Sequence, residues 1–340
     1  MFNRNNSFDL IRHLAALAVL ISHHYVLSGM QEPNIQDFTS PGQLAVIFFF
    51  SISGFLITQS FVHSTSFYSY IKKRIARIFP ALIGCSFIMV YIASSIFGKK
   101  NGWDYLLSIE ALTDFLKISA FGRANIENIT SSFIFSDSFN GSLWTLKIEF
   151  TFYIILALAL RALPGVTMPL IMTLAFCITA YTASNSIHPL APKLLIYSSV
   201  GIAFFFGSTL HYYKNIFSSK KTKISLCLFS MALIAITLKT EFSSIFSNIG
   251  FSLLILSIGT LYKDRIIKSK FDISYGMYLY AFPVQQLLIN TTELCFYSSL
   301  FLSIILVIIL ATFSWLFIEK PALNFVHMKN RTKSNPLATL

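Results

Sequence analysis

The chain has 340 residues, of which 55% are hydrophobic, 16% aromatic and only 12% charged, with a formal net charge of +12. Soluble domains carry about a quarter charged residues. A chain with 35 phenylalanines and so little charge cannot coat a globule in water, which excludes a soluble enzyme, a disordered protein and a fibrous one. The Lys and Arg excess would suggest nucleic acid in a soluble protein. Here it sits between apolar blocks, where the orientation rule for membrane proteins explains it, and no nucleic-acid partner is expected. Cys85, Cys177, Cys227 and Cys295 are far apart with no CxxC spacing, so neither a disulfide framework nor a metal site is indicated.

A helix crosses the hydrocarbon core with about 20 mostly apolar residues. In chain order the segments that qualify are 8–29, 41–62, 78–97, 142–163, 168–183, 190–212, 224–238, 244–261, 273–292 and 296–318. With the N-terminus inside, the connections assigned to the cytoplasm hold about three times as many Lys and Arg as those outside. The expected fold is therefore an all-α integral membrane protein of about ten transmembrane helices, with both termini cytoplasmic and no soluble domain. The longest connection, 98–141, falls outside. Within it, 105–121 reads as a surface helix lying on the membrane, with Leu106, Ile109, Leu112, Phe115 and Leu116 on one side. The membrane domain is expected over 1–322 and a short basic cytoplasmic tail over 323–340.

Ionisable groups inside spans are expensive and functional by default. The first span carries Asp9, Arg12, His13, His23 and His24. Arg12 and His23 are eleven residues apart, within about 20° of three full turns, so they share a face some 16 Å apart, whereas His24 points about 100° away. The plainer alternative is an Asp9–Arg12 ion pair and a packing histidine. Lys72, Lys73, Arg74 and Arg77 form a second cluster, on the first cytoplasmic connection. Arg74 and Arg77, one turn apart, either clasp a phosphate-bearing ligand or serve as a topology signal. A third cluster surrounds Glu149, which lies at nearly the depth of His23 and is able to pair with it or with Lys147. Trp144, in the same cluster, also suits an interface anchor.

These residues resemble the signature of the acyltransferase family 3 membrane proteins, the O-acetylases of bacterial surface polysaccharides. Arg12-x10-His23 is followed in order by Phe48-Phe49-Phe50-Ser51-Ile52-Ser53-Gly54-Phe55-Leu56-Ile57 and by Arg74-x2-Arg77-Ile78-x-Pro80. Ser142-Leu143-Trp144-x4-Glu149-x3-Tyr153, Ser274-Tyr275-Gly276-Met277-Tyr278-Leu279-x3-Pro283 and Trp315-x3-Glu319-Lys320-Pro321 complete the set. Each block is weak alone; six in order are specific. In one departure, many relatives carry a histidine before the proline where this chain has Ala281-Phe282-Pro283, so no catalytic role is expected there.

The resemblance implies acetyl transfer from cytoplasmic acetyl-CoA to a sugar hydroxyl of a cell-surface polysaccharide such as lipopolysaccharide O-antigen. It implies a multi-pass protein of the bacterial inner membrane whose partners are the lipid bilayer and a glycan acceptor, lipid-linked or not, with no metal. His23 becomes the general base, with Glu149 as its orienting carboxylate. Arg12, Arg74, Arg77, Ser53 and Gly54 serve the acetyl-CoA donor, Gly54 by allowing a close helix approach or an unwound turn. Trp144 and Tyr153 serve the acceptor. The rival reading is a polytopic transporter or flippase of the same pathway, for which internal repeats are expected and none is evident.

Overall fold

The computed structural model describes residues 6–34, 39–237, 240, 242–264, 266–267 and 271–326. Among them the secondary structure is helical, without a β-strand. The long helices are α1 (Phe8–Leu27), α2 (Pro41–Val62), α3 (Phe67–Phe97), α4 (Leu143–Ala162) and α5 (Thr167–Ser184). They continue with α6 (Ala191–Tyr212), α7 (Lys220–Thr237), α8 (Ser243–Leu261), α9 (Ser274–Thr291) and α10 (Phe296–Val326). Eight of these helices are long and apolar enough to cross a membrane. The exceptions are α7, which opens on Lys220, Lys221 and Lys223, and α9, which carries Gln285, Gln286 and Asn290. This is an integral membrane protein.

Two boundaries differ from expectation. The third helix begins at Phe67 rather than at 78 and runs 31 residues, about 46 Å at 1.5 Å per residue. Lys72, Lys73, Arg74 and Arg77 therefore lie on the helix itself and not on a connection. The last helix also runs 31 residues, to Val326, past the span expected to end at 318; 327–340 lie outside the described residues. Both helices contain a π-helical turn, at Ile88–Ala93 and at Trp315–Glu319. Such turns insert an extra residue and re-aim the rest of the helix.

The chain divides into two compact units: Met1–Ala15, Asn34–Phe67 and Thr151–Lys270 form one, and Ala16–Pro33, Tyr68–Phe150 and Phe271–Leu340 the other. In the first unit α6 packs on α2, α5 and α8. A Cβ on Gly54 would collide with the Phe204 carbonyl oxygen, and one on Gly207 with that of Ser51. The two glycines let the backbones of α2 and α6 nearly touch, the usual means of packing helices in lipid. Buried hydroxyls reinforce the contact, Thr58 with Ser208 at 2.6 Å and Ser51 with Ser252 of α8 at 2.8 Å. Helix α2 is unbroken, so of the two roles expected for Gly54 the structure has the close approach and not the unwound turn.

In the second unit α9 is the hub. Every residue from Gly276 to Gln286 is buried, and its polar side chains are spent on neighbouring segments. Pro283 has no N–H for the carbonyl of Leu279; that oxygen accepts instead from Asn140 Nδ2 at 3.0 Å and faces Cys85 Sγ at 3.5 Å. Gln286 Nε2 donates to the carbonyls of Phe135 and Ser138, and Asn290 Oδ1 accepts from the N–H of Ile134. The end of the 98–141 connection is thereby laced to α9. Earlier in it, the expected helix 105–121 is broken into Gly102–Leu106 and Ile109–Ser119, because Ser108 caps the second piece through a 3.1 Å bond from the Ala111 N–H.

Candidate active site

His23 and His24 are neighbours on α1 in opposite circumstances. The Gln285 side-chain amide donates one hydrogen to the Leu20 carbonyl at 2.8 Å and the other to His24 Nδ1 at 3.1 Å. Turning the amide over would set its oxygen against the Leu20 carbonyl oxygen, so the donor assignment is fixed. His24 Nδ1 is then an acceptor, and its proton sits on Nε2, which faces the Phe296 carbonyl at 3.2 Å and Ser299 Oγ at 3.0 Å. With both ring nitrogens engaged and the side chain fully buried, His24 has no lone pair left for a substrate.

His23 is only partly buried. Its Nδ1 is shielded and has no hydrogen-bond partner among the described residues. The ring stands edge-to-face on Phe282, centroids 5.1 Å apart. Phe282 is held in turn by Phe135 at 5.9 Å and by Gly141, where a Cβ would come within 2.7 Å of its ring. The position for which no role was expected is thus the wall against which His23 leans.

Glu149 lies on α4, seven residues into the Leu143–Ala162 helix. Helix position alone gives Glu149 and His23 a similar depth, which says nothing of which way each faces.

Arg77 has been drawn into a structural role. Its guanidinium bonds Asp272 at 2.6 Å and Glu319 at 3.4 Å and lies over the Tyr275 ring. Ser314 Oγ donates to the other Glu319 oxygen at 3.1 Å, and the Tyr275 hydroxyl donates to the Ile78 carbonyl at 2.8 Å. The π-turn Trp315–Glu319 carries the fully buried Glu319 into this cluster. Three of the sequence blocks, from α3, α9 and α10, therefore meet at one arginine. Arg74, one turn earlier, lies near the Tyr70 ring at 5.8 Å.

In the remaining blocks, Ser142 Oγ donates to Asn140 Oδ1 at 2.6 Å, and Thr145 shares a 2.6 Å bond with the Tyr278 hydroxyl. Trp144 is exposed. In the first unit Tyr153 is buried against Phe204, Ser53 and Gly54 are buried in α2, and Arg12 is half-buried on α1. Sequence reasoning missed Asp272, Asn140, Phe282 and Gln285. The two consecutive glutamines of α9 were the available signal, since amides inside a span must find partners.

The model of the acyltransferase domain family matches residues 5–319. The chain belongs to acyltransferase family 3. Over 342 residues it is 36% identical to the O-acetyl transferase of Shigella phage Sf6, with 99% of each chain covered. It is also 27% identical, over 94% of its length and 93% of the relative's, to nodulation protein 10 of Rhizobium leguminosarum bv. viciae. No solved structure matches. This family 3 acyltransferase is therefore a multi-pass membrane enzyme, and of the two histidines of its first helix His24 has both ring nitrogens hydrogen-bonded while His23 Nδ1 has no partner among the described residues.

Proposed function

We propose that the protein is an O-acetyltransferase of the bacterial inner membrane. It moves an acetyl group from cytoplasmic acetyl-CoA to a hydroxyl of a cell-surface polysaccharide sugar, such as one of lipopolysaccharide O-antigen. The observation that carries this reading is His23, the α1 histidine without a hydrogen-bonded Nδ1, beside a neighbour whose nitrogens are both consumed. The full-length likeness to a relative named O-acetyl transferase supports the choice of reaction.

In this mechanism the neutral His23 ring takes the proton of the sugar hydroxyl as its oxygen attacks the thioester carbonyl carbon. The C–S bond breaks, and the sulfur of the departing CoA takes up the proton. General-base assistance of this kind typically contributes about 10²–10⁴-fold in rate. All ten long helices cross the membrane, both chain ends are cytoplasmic and 98–141 faces outward toward the acceptor. Arg74, with Lys72 and Lys73, receives the donor phosphates, while Arg77 holds the frame of α3, α9 and α10 behind them. Arg12, Ser53 and Gly54 for the donor, and Trp144 and Tyr153 for the acceptor, rest on the family resemblance. Glu149, as the carboxylate that orients His23, likewise rests on that resemblance.

The test is acetyl transfer by purified protein in lipid nanodiscs, from labelled acetyl-CoA to isolated surface glycan. His23→Gln keeps a packing hydrogen bond but takes up no proton at neutral pH, so it should lose transfer by about 10²–10⁴-fold with acetyl-CoA affinity intact. His24→Ala should retain far more. Near-normal transfer by His23→Gln would make His23 structural and end this assignment.

A further inference from the structure

Gln285 is completely buried on α9, beside the equally buried Gln286, whose own amide nitrogen is taken up by the Phe135 and Ser138 carbonyls. The Gln285 amide nitrogen holds two acceptors four residues apart on α1, the Leu20 carbonyl and His24 Nδ1. Its oxygen, also buried, has no partner among the described residues. A leucine or methionine would fill the same space without stranding a buried oxygen, so packing alone does not explain a glutamine here. One turn earlier on the same face of α9 stands Phe282, the wall behind His23. Thus α9 touches α1 at two adjacent points, one that clamps the turn containing His23 and one that meets the His23 ring.

We propose that Gln285 is the positioning residue for His23. The Leu20 carbonyl is part of the helix backbone, and His24 is anchored on its far side to α10 through Phe296 and Ser299. Bridging them leaves the Leu20–His24 turn no freedom to rotate about the α1 axis. His23 lies within that turn, and rotation would swing its ring off the Phe282 edge and move its nitrogens relative to the acceptor. The clamp also sets the His24 tautomer: while the amide donates to Nδ1, the proton stays on Nε2. Gln285 touches no reacting atom and acts through α1.

The inference rests on the reading of His23 as general base, and its test separates the two. Gln285→Met keeps the volume and removes the donor. In nanodiscs its kcat should fall about 10–100-fold, the effect of displacing a reacting group by about an ångström, while KM for acetyl-CoA stays within about twofold. In ¹⁵N-histidine-labelled protein, the His24 signals should show the Nε2–H tautomer in the unmodified chain and a changed or mixed state in the variant. Unchanged kcat in Gln285→Met, with His23→Gln inactive, would overturn the positioning role and leave the base assignment standing. Full activity in His23→Gln would remove the base assignment, and with it the need for a positioning residue. Unaltered His24 signals in Gln285→Met would overturn the clamp itself. If Gln285→Met folds poorly, Gln285→Asn, a methylene too short to reach both acceptors, gives the same readouts.

Discussion

At the scale of single residues, Arg77 shows how a motif position acquires its energy. Its partners Asp272 and Glu319 are 14% and 1% exposed, so removing the guanidinium strands two carboxylates in a medium that solvates them poorly. Breaking a buried pair from one side costs about 3–5 kcal/mol, most of it the penalty of the charge left behind. Arg77→Ala should accordingly lower the thermal unfolding temperature sharply, and adding Glu319→Gln should recover part of the loss. The double-mutant cycle would show coupling well above the roughly 0–1 kcal/mol of a surface pair. Additive effects would mean that the contact is not energetic. Arg74→Ala should weaken CoA binding while the Arg77–Asp272–Glu319 cluster stays in place, which separates the two arginines of one motif.

At the scale of elements, the surface helix Ile109–Ser119 presents an inverted pattern. Ala111, Asp114 and Ile118 face inward, while Ile109, Leu112 and Leu116 are exposed, continued by Trp103 and Leu107. The apolar stripe suits a bilayer surface, with Trp103 at the headgroup level and Lys100 and Lys117 nearby. Spin labels at Leu112 and Leu116 should be reached by oxygen and shielded from a water-soluble relaxation agent, and a label at Thr113 should show the reverse. Equal exposure to the aqueous agent at all three sites would dismiss the membrane contact. The inward Asp114 makes the docking of this helix's other face against the rest of the protein pH-dependent. Burial, then the carboxylates Glu110 and Glu127, push its carboxyl above the ordinary Asp value, with Lys117 opposing. A raised acid binds more protons folded than unfolded, so docking is strongest below the unfolded value and weakens as pH climbs through the interval up to the folded one. Asp114→Asn should slow amide exchange across 109–119 at neutral pH and abolish its dependence on acidification.

For the molecule as a whole, the matter to decide is which way the connections face. Residue 128 is a poor labelling site, because Asn128 is buried and ties the Ser94 carbonyl to the Lys100 N–H. Ser132 and Asp137 are exposed. Cysteines placed there, in a background without the native four, should react with an impermeant reagent in intact cells, as an outward acceptor side requires. Reaction only after permeabilisation would reverse the proposed orientation.

Hydropathy is additive along the chain, so the membrane class and the places of all ten long helices were legible without coordinates, as was the order of the family blocks. The boundaries at residues 67 and 326 were not, because a helix end projecting past the hydrocarbon is charged and reads as a connection. The 3.6-residue period places groups on one helix, and it already separates the facing of His23 from that of His24. It is silent on what another helix brings to that face. Packing decided that Phe282 backs His23. It likewise decided that Arg77 answers to carboxylates 195 and 242 residues away and that an amide of α9 consumes His24. In a low-dielectric interior an unpartnered polar group is costly, so most find partners, and those partners lie far along the chain, at distances that local pattern does not encode.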